Sequence, residues 1–172
     1  RHDLTSSIYV TPIQAKEKIR KEKGKRIHVI CGGGTGSSLM EFLVAEGHEV
    51  TVGVLNVLDS DHETASSLGI GFVEEAPFSP ITQEAHAANL RLLENADLVI
   101  MTTLPFGAGN IQNLRAARHA LERGIPLFIF KASPADHEFS YKEAEELLSE
   151  IKEAGVLEIK DLQELRKIIK EI

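Results

Sequence analysis

The order of apolar and amphipathic segments in this chain predicts an α/β fold, with three α/β/α layers around a mainly parallel sheet of five or more strands. Short apolar runs alternate with helical patterns along most of the 172 residues, as expected when each strand is buried on both faces. A glycine-rich turn joins the first full apolar run to the first helix of this alternation, which is typical of Rossmann-like domains.

The individual elements follow from the spacing of apolar residues. Strands are predicted at residues 26–31, 50–57, 71–73, 98–102 and 127–131. Helices are predicted at residues 37–46, 61–68, 81–95, 111–123, 141–154 and 162–172. Right-handed crossovers would bring the carboxyl ends of all the strands to one edge of the sheet.

Two segments are expected along the chain. Residues 1–24 contain a strand pattern and a short helix of mixed charge, and residues 25–172 form the Rossmann-like α/β domain. The sequence begins at Arg1 without a secretory signal, which favours an excised or processed piece of a longer protein.

Composition narrows the function classes. The net charge of -7 argues against a protein that coats the phosphates of nucleic acids. No apolar stretch approaches the roughly 18 residues of a membrane span, and a single cysteine cannot form an internal disulfide. A reducing cytoplasm is therefore the expected setting.

The glycine-rich turn is the first candidate ligand site. Glycines remove the side chains that keep a ligand off the backbone, and the helix that follows offers free N–H groups to an anion. Its candidate binding residues are Gly32, Gly33, Gly34, Thr35, Gly36 and Ser37. The alternative interpretation is a tight strand-to-helix connection whose glycines serve packing alone.

The turn departs from two known phosphate-binding patterns. It lacks the lysine of a Walker A loop, and Ser37 stands where the dinucleotide pattern has its third glycine or alanine. At the end of the second strand Asn56 replaces the usual ribose-binding acid, with Asp59 and Asp61 beyond it. The cofactor stays open between a nucleotide, a dinucleotide and no cofactor at all.

A second loop is expected to face the first across the same edge. Residues 102–110 are longer than the usual connection of about 2–6 residues, which favours a binding wall over a plain turn. Its candidate ligand contacts are Thr102, Thr103, Gly107, Gly109 and Asn110. Asn110 is also expected to be the N-cap of the next helix.

Catalytic and metal-binding patterns are not evident in the sequence. Ser60 and Glu63 have the spacing of a capping box, which leaves Asp59, Asp61 and His62 at the carboxyl end of a strand, where a ligand could contact them. A metal centre is disfavoured, because no second cluster with ligand spacing accompanies them. Cys31 is expected to be buried at a strand end without a catalytic partner. No catalytic residue and no metal ligand is predicted.

Four motifs together resemble a known family. They are Val29-Ile30-Cys31-Gly32-Gly33-Gly34-Thr35-Gly36, Val52-Gly53-Val54-Leu55-Asn56 leading to Asp59, Pro77-Phe78-Ser79-Pro80-Ile81, and Pro105-Phe106-Gly107-Ala108-Gly109-Asn110. Together they are similar to the accessory C-terminal Rossmann-like domain of ATP-binding proteins in iron-complex and cobalamin-type ABC importers. Residues 2–12 likewise resemble the tail of such a protein's ATPase domain.

The resemblance implies a cytoplasmic domain at the inner face of the membrane, attached to an ABC ATPase domain and through it to a membrane permease. Three functions stay open from the sequence. The first is a non-catalytic sensor that binds a small anionic or nucleotide-like ligand and regulates the ATPase. The second is an NAD(P)- or nucleotide-dependent enzyme, and the third is a structural interaction domain without a ligand. A homodimer is compatible with all three.

Overall fold

The computed structural model describes residues 24–76, 81–102, 108–130 and 142–172. In these ranges six parallel strands form one sheet in the order β3-β2-β1-β4-β5-β6. The strands are β1 Arg26–Ile30, β2 Glu49–Asn56, β3 Gly71–Glu75, β4 Leu98–Met101, β5 Leu127–Phe130 and β6 Leu157–Ile159. The helices are α1 Ser37–Ala45, α2 Ser60–Leu68, α3 Gln83–Glu94, α4 Ala108–Glu122, α5 Lys142–Glu153 and α6 Leu162–Glu171.

The predicted fold class is confirmed, since the sheet is parallel and helices cover both of its faces. One strand was missed. β6 has only three residues, and a run that short between two helices has too few positions for an apolar alternation to stand out. Lys131 and Tyr141, at the ends of two predicted elements, lie outside the described residues, as do residues 1–23 with their predicted strand and helix.

Two apolar cores lie on opposite faces of the sheet because successive strand residues point to opposite sides. On one face Ile27 and Val29 of β1 pack with Leu39 of α1 and Leu165 of α6. On the other face Ile30 belongs to the core that contains Leu114 of α4 and Ile151 of α5. Among the helices that the structure describes, none combines the length and apolarity needed to cross a membrane.

One histidine is part of this interior. His28 of β1 is fully buried, with Nδ1 2.8 Å from the hydroxyl of Thr51 and Nε2 2.7 Å from the side-chain oxygen of Asn89. Burial lowers the pKa of His28 to about 4, although the Asn89 hydrogen bond acts in the opposite direction. The imidazole is therefore neutral at physiological pH and serves as a core hydrogen-bonding group.

The strand order fixes where a ligand site should be sought. The chain leaves β1 towards β2 and β3 on one side, and later returns to place β4, β5 and β6 on the other side. In open α/β sheets the crevice at such a reversal, at the carboxyl ends of the strands, is the usual ligand position. Here the crevice lies between β1 and β4, whose last residues Ile30 and Met101 are paired.

Candidate functional site

The glycine loop, residues 31–36, connects β1 to α1 at this crevice. Gly33 and Gly34 adopt left-handed backbone conformations, with φ of 63° and 83°, which glycine reaches without the steric penalty of a side chain. The Gly36 backbone lies against Cys31, because a Cβ there would stand 2.3 Å from the Cys31 sulfur. The loop therefore needs glycine at these positions for its own shape.

The side chain of Asp59 is hydrogen-bonded to this loop. Its carboxylate accepts hydrogen bonds from the N–H groups of Gly33 at 2.8 Å and Gly34 at 3.1 Å. The same carboxylate accepts from the N–H of Asp61 at 2.9 Å and so is the N-cap of α2. The amides predicted to bind an external anion thus converge on a carboxylate of the chain itself.

The capping-box prediction for this helix was wrong. The cap is Asp59, and Ser60 is already the first helical residue. An aspartate carboxylate caps at least as well as a serine hydroxyl, and the backbone at Asp59 is extended, as an N-cap requires. His62 turns away from the loop, where its Nε2 lies 2.7 Å from Glu74 of β3.

Asp61 holds the second half of the loop. It is fully buried and accepts from the N–H of Gly36 at 3.1 Å and from the hydroxyl of Ser37 at 2.8 Å. The hydroxyl of Thr64 extends the network, 3.0 Å from that of Ser37. Sequence patterns did not indicate Thr64, because a threonine inside a helix resembles any other partly exposed polar residue.

Cys31 lies next to Gly36 and Asp61 in this network. Its side chain is buried, as predicted. Burial raises the pKa of the Cys31 thiol well above its usual value, and the negative charges of Asp61 and Asp59 raise it further. A thiol kept protonated in this way is a poor nucleophile.

The second predicted wall meets the glycine loop at one described contact. The hydroxyls of Thr35 and Thr102 lie 2.9 Å apart, and the N–H of Thr102 donates to the carbonyl of Ile30 at 2.8 Å. Both loops therefore start from the same edge of the sheet, as predicted. Thr103 and Gly107 lie outside the described residues.

The remaining predicted contacts are Gly109, Asn110 and Asn56, of which the first two lie in a helix that begins earlier than predicted. Helix α4 begins at Ala108, so Gly109 and Asn110 lie within its first turn and Asn110 is not the N-cap. The side-chain oxygen of Asn56 accepts from the N–H of Leu58 at 2.9 Å. Asn56 thereby stabilises its own turn, a local hydrogen bond that asparagine commonly makes.

Many Rossmann-like domains bind a dinucleotide at this turn, and the residues present here do not fit one in this conformation. A bound diphosphate uses the amides of the first strand-to-helix turn, and here the Gly33 and Gly34 amides already donate to Asp59. A second carboxylate, Asp61, accepts from the N–H of Gly36. Within the described ranges, no three acidic, histidine or cysteine side chains form a cluster that could hold a metal ion.

A cavity lies at the opposite edge of the sheet. It has a volume of about 600 Å³ and is bounded by the start of β1, the end of α1 and the last turns of α6. Lys25, Arg166 and Lys170 supply positive charge around it, Glu46 supplies a negative charge that pairs with Arg166, and Phe42 and Ile169 supply apolar surface. None of the predicted site residues lines this cavity.

Strand order and glycine loop define the class of protein, a Rossmann-like α/β domain with an internal carboxylate on its first turn. The chain belongs to the MJ0874 family, whose model matches residues 50–166. It is 31% identical over 67 residues to the uncharacterized protein MJ0874 of Methanocaldococcus jannaschii, a match that covers 39% of this chain and 72% of that protein.

Two further similarities extend the comparison. The chain is 30% identical over 87 residues, 51% of its length, to the cobalamin import ATP-binding protein BtuD of Halobacterium salinarum, of which it spans only 21%. DNA processing protein A of Helicobacter pylori has a similar fold, with a TM-score of 0.52 at 16% identity over 87% of this chain and 82% of that one. At this identity the second similarity concerns the fold alone.

Proposed function

We propose that this chain is a non-catalytic, ligand-sensing domain that regulates an ABC importer ATP-binding protein. Its ligand is a small anion or a nucleotide-like molecule, bound at the carboxyl edge of the sheet between β1 and β4. The partial similarity to BtuD supports the transporter context. The Rossmann-like topology supports the position of the site.

The observation that carries this proposal is the convergence of the Gly33 and Gly34 amides on one carboxylate. Two N–H groups that hold one bidentate anion have the geometry that a phosphate or carboxylate ligand requires. An external anion would take the position of Asp59. Its other contacts would come from Gly32 and Thr35, while Gly36 and Ser37 border the site with their donors held by Asp61.

The opposite wall of this site is proposed from Thr102, Thr103, Gly107, Gly109 and Asn110, and Asn56 and Asp61 border the ligand on the β2 side. In this arrangement backbone donors and hydroxyls line most of the site, which favours binding over catalysis. The raised pKa of the Cys31 thiol disfavours it as a nucleophile. A sensor is therefore preferred to an NAD(P)- or nucleotide-dependent enzyme.

The context of the domain follows from the same proposal. It would act in the cytoplasm, at the inner face of the membrane, through an attached or partner ABC ATPase domain and its permease. Cobalamin or an iron complex would be the cargo of that transporter, not the ligand of this edge. A homodimer would follow the pairing of ATPase domains.

A second candidate function is a structural interaction domain without any ligand. The hydrogen bonds from the loop to Asp59 and Asp61 favour it, because they already satisfy the amides of Gly33, Gly34 and Gly36. In that case the glycines serve the turn alone.

Calorimetric titration of the 172-residue chain with ATP, ADP, AMP, NAD and NADP separates the two candidates. Adenosine is the matched control for AMP, since it lacks only the phosphate. A sensor of this kind binds at least one of the phosphate-containing ligands and binds adenosine more weakly than AMP. If the chain binds none of the five nucleotides, the nucleotide ligand is wrong and the structural function becomes the simpler account.

A further inference from the structure

We infer that Asp59 is an internal competitor for the anion site, which must leave the Gly33 and Gly34 amides before an external anion can bind there. This inference rests on the proposed function and adds the regulation of the same site. It starts from the disagreement between a Rossmann-like loop and the two carboxylates that lie on it.

The competition follows from the number of donors. The Gly33 N–H donates to one carboxylate oxygen of Asp59 and the Gly34 N–H donates to the other. Each N–H group offers a single proton, so a phosphate oxygen can be bound only in place of the Asp59 oxygen. A carboxylate left within contact distance would also repel the incoming anion.

The two carboxylates differ in how firmly they are held. Asp61 is fully buried between Gly36 and Ser37 and has no route to solvent without unpacking the start of α2. Asp59 is only partly exposed, but it follows Val57 and Leu58, which are 40% and 68% exposed. Asp59 can rotate outward with this turn, whereas Asp61 stays as the fixed support of the loop.

Release of Asp59 has a structural consequence beyond the loop. The Asp59 carboxylate also accepts from the N–H of Asp61 and caps α2. A ligand that displaces the side chain therefore removes the cap and changes the turn between β2 and α2. This change is the signal that the domain would pass to its ATPase partner.

The test compares Asp59→Asn with Glu63→Gln, using inorganic pyrophosphate as the probe in calorimetry on the full chain. Asparagine caps a helix about as well as aspartate does, so Asp59→Asn removes the charge and keeps the cap. Glu63 is exposed on the same first turn of α2. Its change to glutamine removes one negative charge from the same region without touching the glycine loop.

Asp59→Asn is expected to bind pyrophosphate at least about tenfold more tightly than the wild-type chain, since it loses a repelling charge at contact distance. Glu63→Gln is expected to stay within about twofold, because exposed charges are screened. Thermal melts check that each variant is folded. Should Asp59→Asn not fold, Asp59→Ser keeps a capping oxygen without charge and replaces it in the same titration.

The outcomes separate this inference from the proposed function. Suppose that the wild-type chain binds a nucleotide and that the Asp59 variant binds pyrophosphate no more tightly than the wild type. The competitor role of Asp59 is then wrong, and the proposed sensor function is kept. If the Asp59 variant gains pyrophosphate binding while the wild type binds no nucleotide, the competitor stands and the nucleotide sensor fails. If neither protein binds any of these anions, both are wrong.

Discussion

The two edges of the sheet differ in how their charged side chains are held. At the carboxyl edge Asp59 and Asp61 lie at the amino ends of α1 and α2, with Asp61 fully buried. At the amino edge Lys25, Arg166 and Lys170 surround an open cavity near the carboxyl ends of α1 and α6. The two carboxylates and the three cations complement the helix dipoles, whereas Glu46 at the carboxyl end of α1 opposes its dipole and pairs with Arg166.

The difference between the edges is one of burial. A buried carboxylate with two donors holds a loop in one conformation, and its loss leaves those donors without partners. At the amino edge Lys25 and Arg166 are partly exposed and Lys170 is exposed, so their charges are screened more and contribute less to stability. Burial therefore produces a hydrogen-bonded loop around Asp61 at one edge and a more exposed charged surface at the other.

The largest effect is expected from Asp61→Ala. The change leaves the buried N–H of Gly36 and the Ser37 hydroxyl without their acceptor, and we expect a loss of about 3–4 kcal/mol in the free energy of unfolding. Denaturant unfolding measures it, with Glu63→Gln as the exposed control on the same helix. A loss below about 1 kcal/mol would mean that the buried and exposed edges do not differ as argued.

The pH dependence of stability extends the comparison of the two edges to His28, which is buried in the sheet between them. The pKa of His28 falls from 6.5 to about 4 on folding, so the unfolded chain binds the extra proton first and acid favours unfolding. The contribution of His28 is complete above pH 6.5 and is lost as the pH falls towards 4, by about 3 kcal/mol in total.

The measurement is the free energy of unfolding at pH 7 and pH 4.5 for the wild type and for His28→Gln, which keeps polar atoms but does not titrate. Carboxylates contribute to both proteins alike, so the difference between the two pH dependences isolates His28. Equal pH dependences would show that His28 is not held neutral in the fold.

A smaller effect is expected from Gly34→Ala compared with Gly32→Ala. Gly34 has φ of +83°, and a Cβ there would lie 2.8 Å from the Ser60 hydroxyl oxygen, whereas a Cβ at Gly32 meets its nearest atom, in Asp59, at 3.8 Å. We expect Gly34→Ala to lower the free energy of unfolding by about 2 kcal/mol and Gly32→Ala to change it little. Equal effects at the two sites would contradict the assigned loop conformation.

The sequence predicted the strands and helices better than the hydrogen bonds at the carboxyl edge of the sheet. Five strands and six helices followed from apolar spacing, and crossover handedness predicted that the loops after β1 and β4 lie on the same edge, where Thr35 and Thr102 are in contact. The contact of Asp59 with Gly33 and Gly34 did not, because it joins residues some 25 positions apart along the chain. The sequence placed Asp59 and the glycines at one edge of the sheet, but spacing cannot distinguish a carboxylate that would contact a ligand from one that occupies the ligand's position.

The smallest effect is expected at the amino edge, from Arg166→Lys. Arg166 donates to Glu46 and lies over the ring of Phe42, 5.3 Å from its centre, and this hydrogen bond lowers the pKa of Glu46. Lysine keeps the charge but loses the planar guanidinium, so the thermal melting temperature should change only marginally at low salt and not at all in 1 M NaCl. Lys170→Gln, in the last turn of the same helix, is the matched control, because it removes a cation from the same cavity. A loss for Arg166→Lys as large as that for Asp61→Ala would show that this edge is as tightly coupled to the fold as the glycine loop.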